Sequence, residues 1–379
     1  MANLENIISN DILNKVKENI YVVLKRSMMK FHTNMPAFAS ANGVYDFEEK
    51  FYDDWHVGFW AGIYYIAHEM FGDRTFLHYA ESITDTLQEK TLNNTIWESP
   101  DEGLIYMPSC INSFKINRDF SSIETLCKAA DRMVESHLEN DGQTFCFQKI
   151  RSSYVTNLNL VRLVAKMSNN ERYLQFADTF EEMILKKNIY DNGKCAMYKY
   201  TENGDIKESP EYAVGIRGNA WMLHGLALRY ASTGDEKYMK LFQNVASYFF
   251  KHFYETMLNN VSEKSGELIP DTTSMSMCNC AIMELLKGVE PSNPLAEGYI
   301  NLLKYNLNFI ISDYLISCEK NSQGLISGGV LMWPSDVVNG SNIMGDYFFM
   351  ESLMHLDSDY RSCWDIDYFI KSIRRTEKN

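Results

Sequence analysis

Phe71-Gly72-Asp73-Arg74-Thr75-Phe76 and, far downstream, Thr233-Gly234-Asp235-Glu236-Lys237-Tyr238 repeat one kind of junction. Gly suits the position just past a helix, where φ turns positive, and Asp suits the cap of the next helix. The aromatic that follows is placed to hold the second helix against the first. Upstream of the first junction, Trp55, Phe59, Trp60, Ile63, Tyr64, Ile66, Ala67 and Met70 keep a helical apolar period. Downstream, Phe76, Leu77, Ala80, Ile83 and Leu87 form the buried stripe of a partner helix. The second junction joins helices read from Gly218 to Tyr230 and from Asp235 to Phe253. Ser168-Asn169-Asn170 joins another pair, read from Tyr154 to Met167 and from Glu171 to Lys187.

Further helical periods run over residues 5–27, 121–139, 273–287, 295–317, 344–356 and 364–374, with long loops near 92–118, 188–215 and 319–343. About a dozen helices in antiparallel hairpins predict an all-α fold, either a closed barrel or an open solenoid. The hairpin spacing is irregular, and a solenoid keeps a stricter period. An (α/α)6 barrel is therefore expected. No stretch resembles an interdomain linker, so one domain over residues 1–379 is expected. Loops of this length are uncommon unless they build a site.

A net charge of −14 argues against nucleic acid and, less strongly, against an anionic membrane as partner. The first residues lack the basic and apolar regions of a signal peptide, and no run of about 18 apolar residues occurs. The eight cysteines are scattered from Cys110 to Cys363, mostly within apolar stretches, and read as reduced thiols. A cytoplasmic location is the expectation.

Trp55-His56-Val57-Gly58-Phe59-Trp60-Ala61-Gly62, with Ala67-His68-Glu69 and Phe71-Gly72-Asp73 behind it, resembles a motif of the unsaturated glucuronyl hydrolases, glycoside hydrolase family 88. Four more stretches match in the family's order. They are Asp101-Glu102-Gly103-Leu104-Ile105-Tyr106, Arg217-Gly218-Asn219-Ala220-Trp221, Pro270-Asp271-Thr272-Thr273 and Gly345-Asp346-Tyr347-Phe348-Phe349-Met350-Glu351. The likeness spans roughly residues 45–357. It implies a six-hairpin barrel and a hydrolase acting on lyase-generated oligosaccharides that carry a Δ4,5-unsaturated uronic acid at the non-reducing end. Such enzymes hydrate the vinyl ether, with a carboxyl group donating a proton and activating water, and the resulting hemiketal opens to release the sugar. No metal or organic cofactor is implied, and the expected partner is a small oligosaccharide or other small ligand.

The resemblance places Asp101 at the first of two essential aspartates and Ser153, four residues before Asn157-Leu158, at the second. Serine does not exchange protons usefully near neutral pH without an added base. Asn219 replaces a Gln, Phe147 stands where a Trp stacks on sugar, and the loop before Arg217 contains no His. Glu98, Glu102 and Asp271 are the candidate replacement acids. The alternative is a catalytically silent sugar- or partner-binding protein on the same barrel.

Each candidate has a plainer reading. Asp101 could be an exposed helix cap. Trp55 and Trp60, candidates for stacking on sugar, could be core or rim aromatics, and Arg217, a candidate substrate contact beside Gly218, could brace a helix start. Trp221, one turn on, shares Arg217's face and suits packing or site lining. Cys278-Asn279-Cys280 invites a metal, but residues two apart on a helix point about 200° apart, and no histidine spacing suggests a metal site. His68 and His224 read as satisfied helix residues.

Overall fold

The computed structural model describes residues 4, 7–32, 34–48, 55–95, 99–139, 144–202, 205–208, 216–259, 271–331 and 337–376. Its helices are α1 (Asn10–Phe31), α2 (His56–Phe71), α3 (Arg74–Leu92), α4 (Glu102–Tyr106), α5 (Asn112–Asn117), α6 (Phe120–Glu135), α7 (Tyr154–Asn157) and α8 (Asn159–Ser168). They continue with α9 (Glu171–Asn188), α10 (Arg217–Thr233), α11 (Glu236–Asn259), α12 (Thr272–Lys287), α13 (Pro294–Phe309), α14 (Ile343–Met354) and α15 (Ile366–Thr376).

Two kinds of helix alternate. On α2 every residue from His56 to Ala67 is buried, and on α14 all twelve are. A helix apolar all round must be enclosed by others. By contrast, α3 and α6 bury one stripe and expose the opposite face. The enclosed helices form an inner ring: α2, the α4–α5 segment, α7–α8, α10, α12 and α14, with α14 packing back on α2 to close it. Outside stand α3, α6, α9, α11 and α13, each against its inner partner. The ring is closed, so the barrel expectation holds and the solenoid is excluded.

Both repeated junctions behave as read. Gly72 and Gly234 end α2 and α10 with φ of 67° and 65°, and Asp73 and Asp235 accept hydrogen bonds from the backbone N–H two residues on. Asp73 is held far below the usual carboxylate range by hydrogen bonds from Lys25 and from the Thr75 backbone.

The loop expected near 92–118 is largely helical. α4 runs into α5 through a π-helical turn, Met107–Ile111, that carries Pro108 near its start. Proline reads as a helix breaker, but a wider π turn relieves its clash with the preceding carbonyl. The loops near 188–215 and 319–343 instead supply short strands. Lys149–Arg151, Tyr198–Glu202 and Asp205–Glu208 form one antiparallel sheet, and Ala39–Ser40, Val337–Asn342 and Gly329–Leu331 another. Among the described residues no helix is long and apolar enough to cross a membrane.

Candidate active site

Because each of the first five inner segments is followed by an outer helix running back, the inner helices are parallel and their N-termini meet at one end of the barrel. Cross-links tie these starts together. The Asn157 side chain of α7 donates to the Pro100 carbonyl at 2.8 Å, and that of Asn342, capping α14, donates to Thr273 of α12 at 2.7 Å. A Cβ on Gly103 would lie 2.3 Å from the Asn157 carbonyl oxygen, so only glycine lets α4 approach α7 so closely. Converging N-termini direct partial positive charge into the mouth, which suits an anionic ligand inside an acidic protein.

Asp101 opens α4 at this mouth. It makes no side-chain cap bond and is 4% exposed, so the exposed-cap reading fails. Its Oδ2 instead accepts from Arg151 Nη1 at 2.8 Å. Arg151 ends the strand before Ser153, and its guanidinium lies 5.4 Å from the Tyr198 ring and 6.0 Å from that of Tyr154. Burial, and next the Asp101 charge, raise the Tyr154 hydroxyl pKa, so it stays protonated. Ser153 is buried at the start of α7, on the same short segment as Arg151.

The other candidate acids are braced. Glu102 accepts Arg132 Nε at 3.1 Å and Nη2 at 2.7 Å, on the side of the helix that faces α6. Asp271 caps α12 and is gripped by Arg217, with Nε and Nη2 each 2.9 Å from Oδ2 and Nη2 2.7 Å from Oδ1. Arg217 also donates to Ser274 and to the Val330 carbonyl, both at 2.8 Å. It therefore ties the starts of α10 and α12 to the Gly329–Leu331 strand. Glu98 lies outside the described residues.

The aromatic candidates divide. Trp55 is half-buried at the start of α2, against Phe38 at 4.9 Å and Phe59 at 5.7 Å. Trp221 faces the barrel axis, its ring 5.9 Å from Phe348, which also meets Phe59 and His224. Trp60 points the other way: it packs on Phe31 of α1, and its indole N–H donates to the Tyr79 hydroxyl of α3 at 3.3 Å. Phe147 stacks at 4.2 Å on Phe180, within a cluster that joins α9 and His137. Asn219 is fully buried, accepting from the Cys195 N–H and donating to the Gly193 carbonyl. Trp60 and Asn219 are thus placed as packing or bracing residues, while Phe147 packs on Phe180, which in turn meets Tyr154 at 5.4 Å.

His68 donates from Nδ1 to the Asp73 carbonyl, whereas His224 meets Thr156 through Nδ1 and leaves Nε2 without a hydrogen bond. Burial pushes the His224 pKa down to about 3, so it is neutral. A cleft of about 600 Å³ between Phe145 and α9 has no acidic side chain among its lining residues Thr144, Phe145, Arg172, Gln175 and Thr179. It offers no proton donor.

Arg151 and Tyr198 are the site residues that sequence reading missed. Arg151 stands two residues before Ser153, and a cation so close to that position was the available signal.

No family model matches the chain. It is 24% identical to an unsaturated chondroitin disaccharide hydrolase of Streptococcus agalactiae, over 96% of this chain and 97% of that one. It is 20% identical to an unsaturated glucuronyl hydrolase of Bacillus sp., over 90% and 96%. The fold is shared with the solved unsaturated glucuronyl hydrolase of S. agalactiae, at a TM-score of 0.82, 21% identity, and coverage of 95% of this chain and 98% of that one. A variant of that hydrolase in complex with dGlcA-GalNAc6S matches at a TM-score of 0.79 and 22% identity, over 93% of each chain.

Proposed function

We propose, from its standing as a divergent relative of the unsaturated glucuronyl hydrolases, that the chain is a hydrolase releasing an unsaturated uronic acid from a small oligosaccharide. Asp101 is the acid–base group of this reading. One observation carries it: Asp101 is buried at an inner-helix start, while the other candidate carboxylates Glu102 and Asp271 are each forked by an arginine.

The chemistry runs through residues at the mouth. The Asp101 carboxyl delivers a proton to C4 of the vinyl ether while water adds at C5. The carboxylate formed takes back the proton that this water loses, and the hemiketal opens to expel the remaining sugar. Asp101 must enter protonated, yet it faces Arg151. The uronate carboxylate supplies the exchange, taking Arg151 for itself and freeing Asp101 to hold a proton, since loss of a nearby cation favours the neutral acid. Ser153 contributes a hydroxyl toward water or sugar in place of a second acid. Trp55 and Trp221 line the approach and the floor.

A second reading is saturable sugar binding without turnover. The Arg151–Asp101 pair and a serine at position 153 favour it.

The test mixes the purified chain with a panel of lyase-generated unsaturated disaccharides and follows the ultraviolet absorbance of the C4=C5 bond. Loss of absorbance is expected. Constant absorbance with measurable binding would establish the second reading instead.

A further inference from the structure

The barrel's other end, where the inner helices finish, holds a second polar group in a dry setting. Cys280 and Glu284 stand one turn apart on α12. Glu351 and His355 stand one turn apart on α14, His355 at its C-cap. Residues four apart share one helix face, and α12 packs on α14, so the two faces meet. Ligand atoms of Cys280, Glu351 and His355 all lie within 4.8 Å of one another. Glu284 Oε1 is 3.4 Å from His355 Nε2. All four side chains are buried, and His355 Nε2 makes no hydrogen bond.

We propose that Cys280, Glu284, Glu351 and His355 form a structural site for one borderline-soft divalent cation, of which zinc is the best match. Sulfur, imidazole and carboxylate are the donors zinc takes, and a closed four-ligand set is the structural kind. Metal sites built from facing helices commonly draw their ligands in such spaced pairs.

The surroundings fit. Glu351 Oε1 is oriented by Ser362 at 2.9 Å and Tyr347 at 3.1 Å, whereas Oε2 receives Trp364 Nε1 at 3.2 Å, which leaves that oxygen room for an ion. Such outer partners normally fix metal ligands. Lys287 Nζ lies 2.8 Å from Glu284 Oε1 and 2.7 Å from Oε2, so Glu284 must turn part of its carboxylate from Lys287 to the ion. One thiolate, two carboxylates, one dication and Lys287 sum to zero charge, so the filled site is neutral in a buried setting.

Binding displaces the Cys280 thiol proton, now directed at the Phe348 carbonyl 3.3 Å away, and releases it to solvent. Cys280, Glu351 and His355 must draw together to reach zinc bond lengths of about 2.0–2.3 Å, and Glu284 must swing in from beside His355 as the fourth ligand. The bound ion clamps α12 to α14 at the end of the barrel remote from Asp101 and takes no part in the reaction. Reading Cys278 and Cys280 as a pair hid this arrangement, because its ligands come from two helices far apart in sequence.

The experiment measures zinc by elemental analysis in the full chain, purified after zinc-supplemented expression and exhaustive dialysis. Cobalt-loaded protein is read in parallel for thiolate-to-cobalt charge-transfer absorption. We expect one equivalent of zinc in the wild type and in a Cys146→Ser/Cys318→Ser control. Zinc falls by roughly tenfold or more in Cys280→Ala and His355→Gln, and the charge-transfer band is lost in Cys280→Ala. Wild type without zinc or without the cobalt band overturns the proposal, whether or not the variants fold. Undiminished zinc in a folded Cys280→Ala, judged by circular dichroism, overturns it equally.

Discussion

Replacing Asp271 by alanine removes two things at once: the fork that holds Arg217 and the cap of α12. Arg217 and Asp271 are 15% and 12% exposed, so the pair is mostly but not wholly dry. Breaking a fully buried pair costs about 3–5 kcal/mol, and partial water access reduces that to about 2–4 kcal/mol. The lost cap adds about 1 kcal/mol. Asp271→Ala should therefore cost about 3–5 kcal/mol. Arg217→Ala should cost less, about 2–3 kcal/mol, because Asp271 still caps α12 and accepts from Ser274. In the double variant the ion-pair loss is counted once, so its cost falls short of the sum by about 2 kcal/mol. Urea unfolding of the four proteins measures this coupling. Additivity within about 0.5 kcal/mol would show that the two side chains do not brace each other.

Other variants probe the remaining framework. Asp346 is fully buried and accepts from the Leu325 and Ile326 N–H groups and the Tyr45 hydroxyl; burial raises its pKa to about 7. The folded protein thus holds a proton that the unfolded chain has released, so this group's stability is full below about pH 4 and falls away as pH rises toward 7, by up to about 4 kcal/mol. Asp346→Asn should flatten that slope in urea titrations, and an unchanged slope refutes the assignment. Trp60→Phe should lower stability by about 1 kcal/mol through the lost Tyr79 hydrogen bond while leaving saccharide affinity intact. A weakened saccharide Kd, read by calorimetry, would place Trp60 back in the mouth.

The architecture was legible because its signals are local. A glycine past one helix and an aspartate before the next need only a few neighbouring residues, and helices apolar all round announce enclosure. The α4–α5 segment was not, since Pro108 sits in a π turn that no residue period marks. Asp101, Trp55 and Trp221 were singled out by the order of the motifs alone. What they touch was not readable. Arg217 finds Asp271 across 54 residues, and Arg151 finds Asp101 across 50. Such pairings arise from ring closure, which brings helix starts together whatever their separation along the chain. Asn219 misled for a related reason: its side chain turns to the backbone near Gly193 rather than inward.

A rate comparison between the native chain and Asp101→Asn, on whichever unsaturated disaccharide turns over fastest, probes the core of this account. The amide keeps the size of the acid but cannot cycle a proton, so double-bond loss should slow by about 10²–10⁴-fold with circular dichroism unchanged. If Asp101→Asn matched the native rate, the proton would come from another group and Asp101 would be only Arg151's partner.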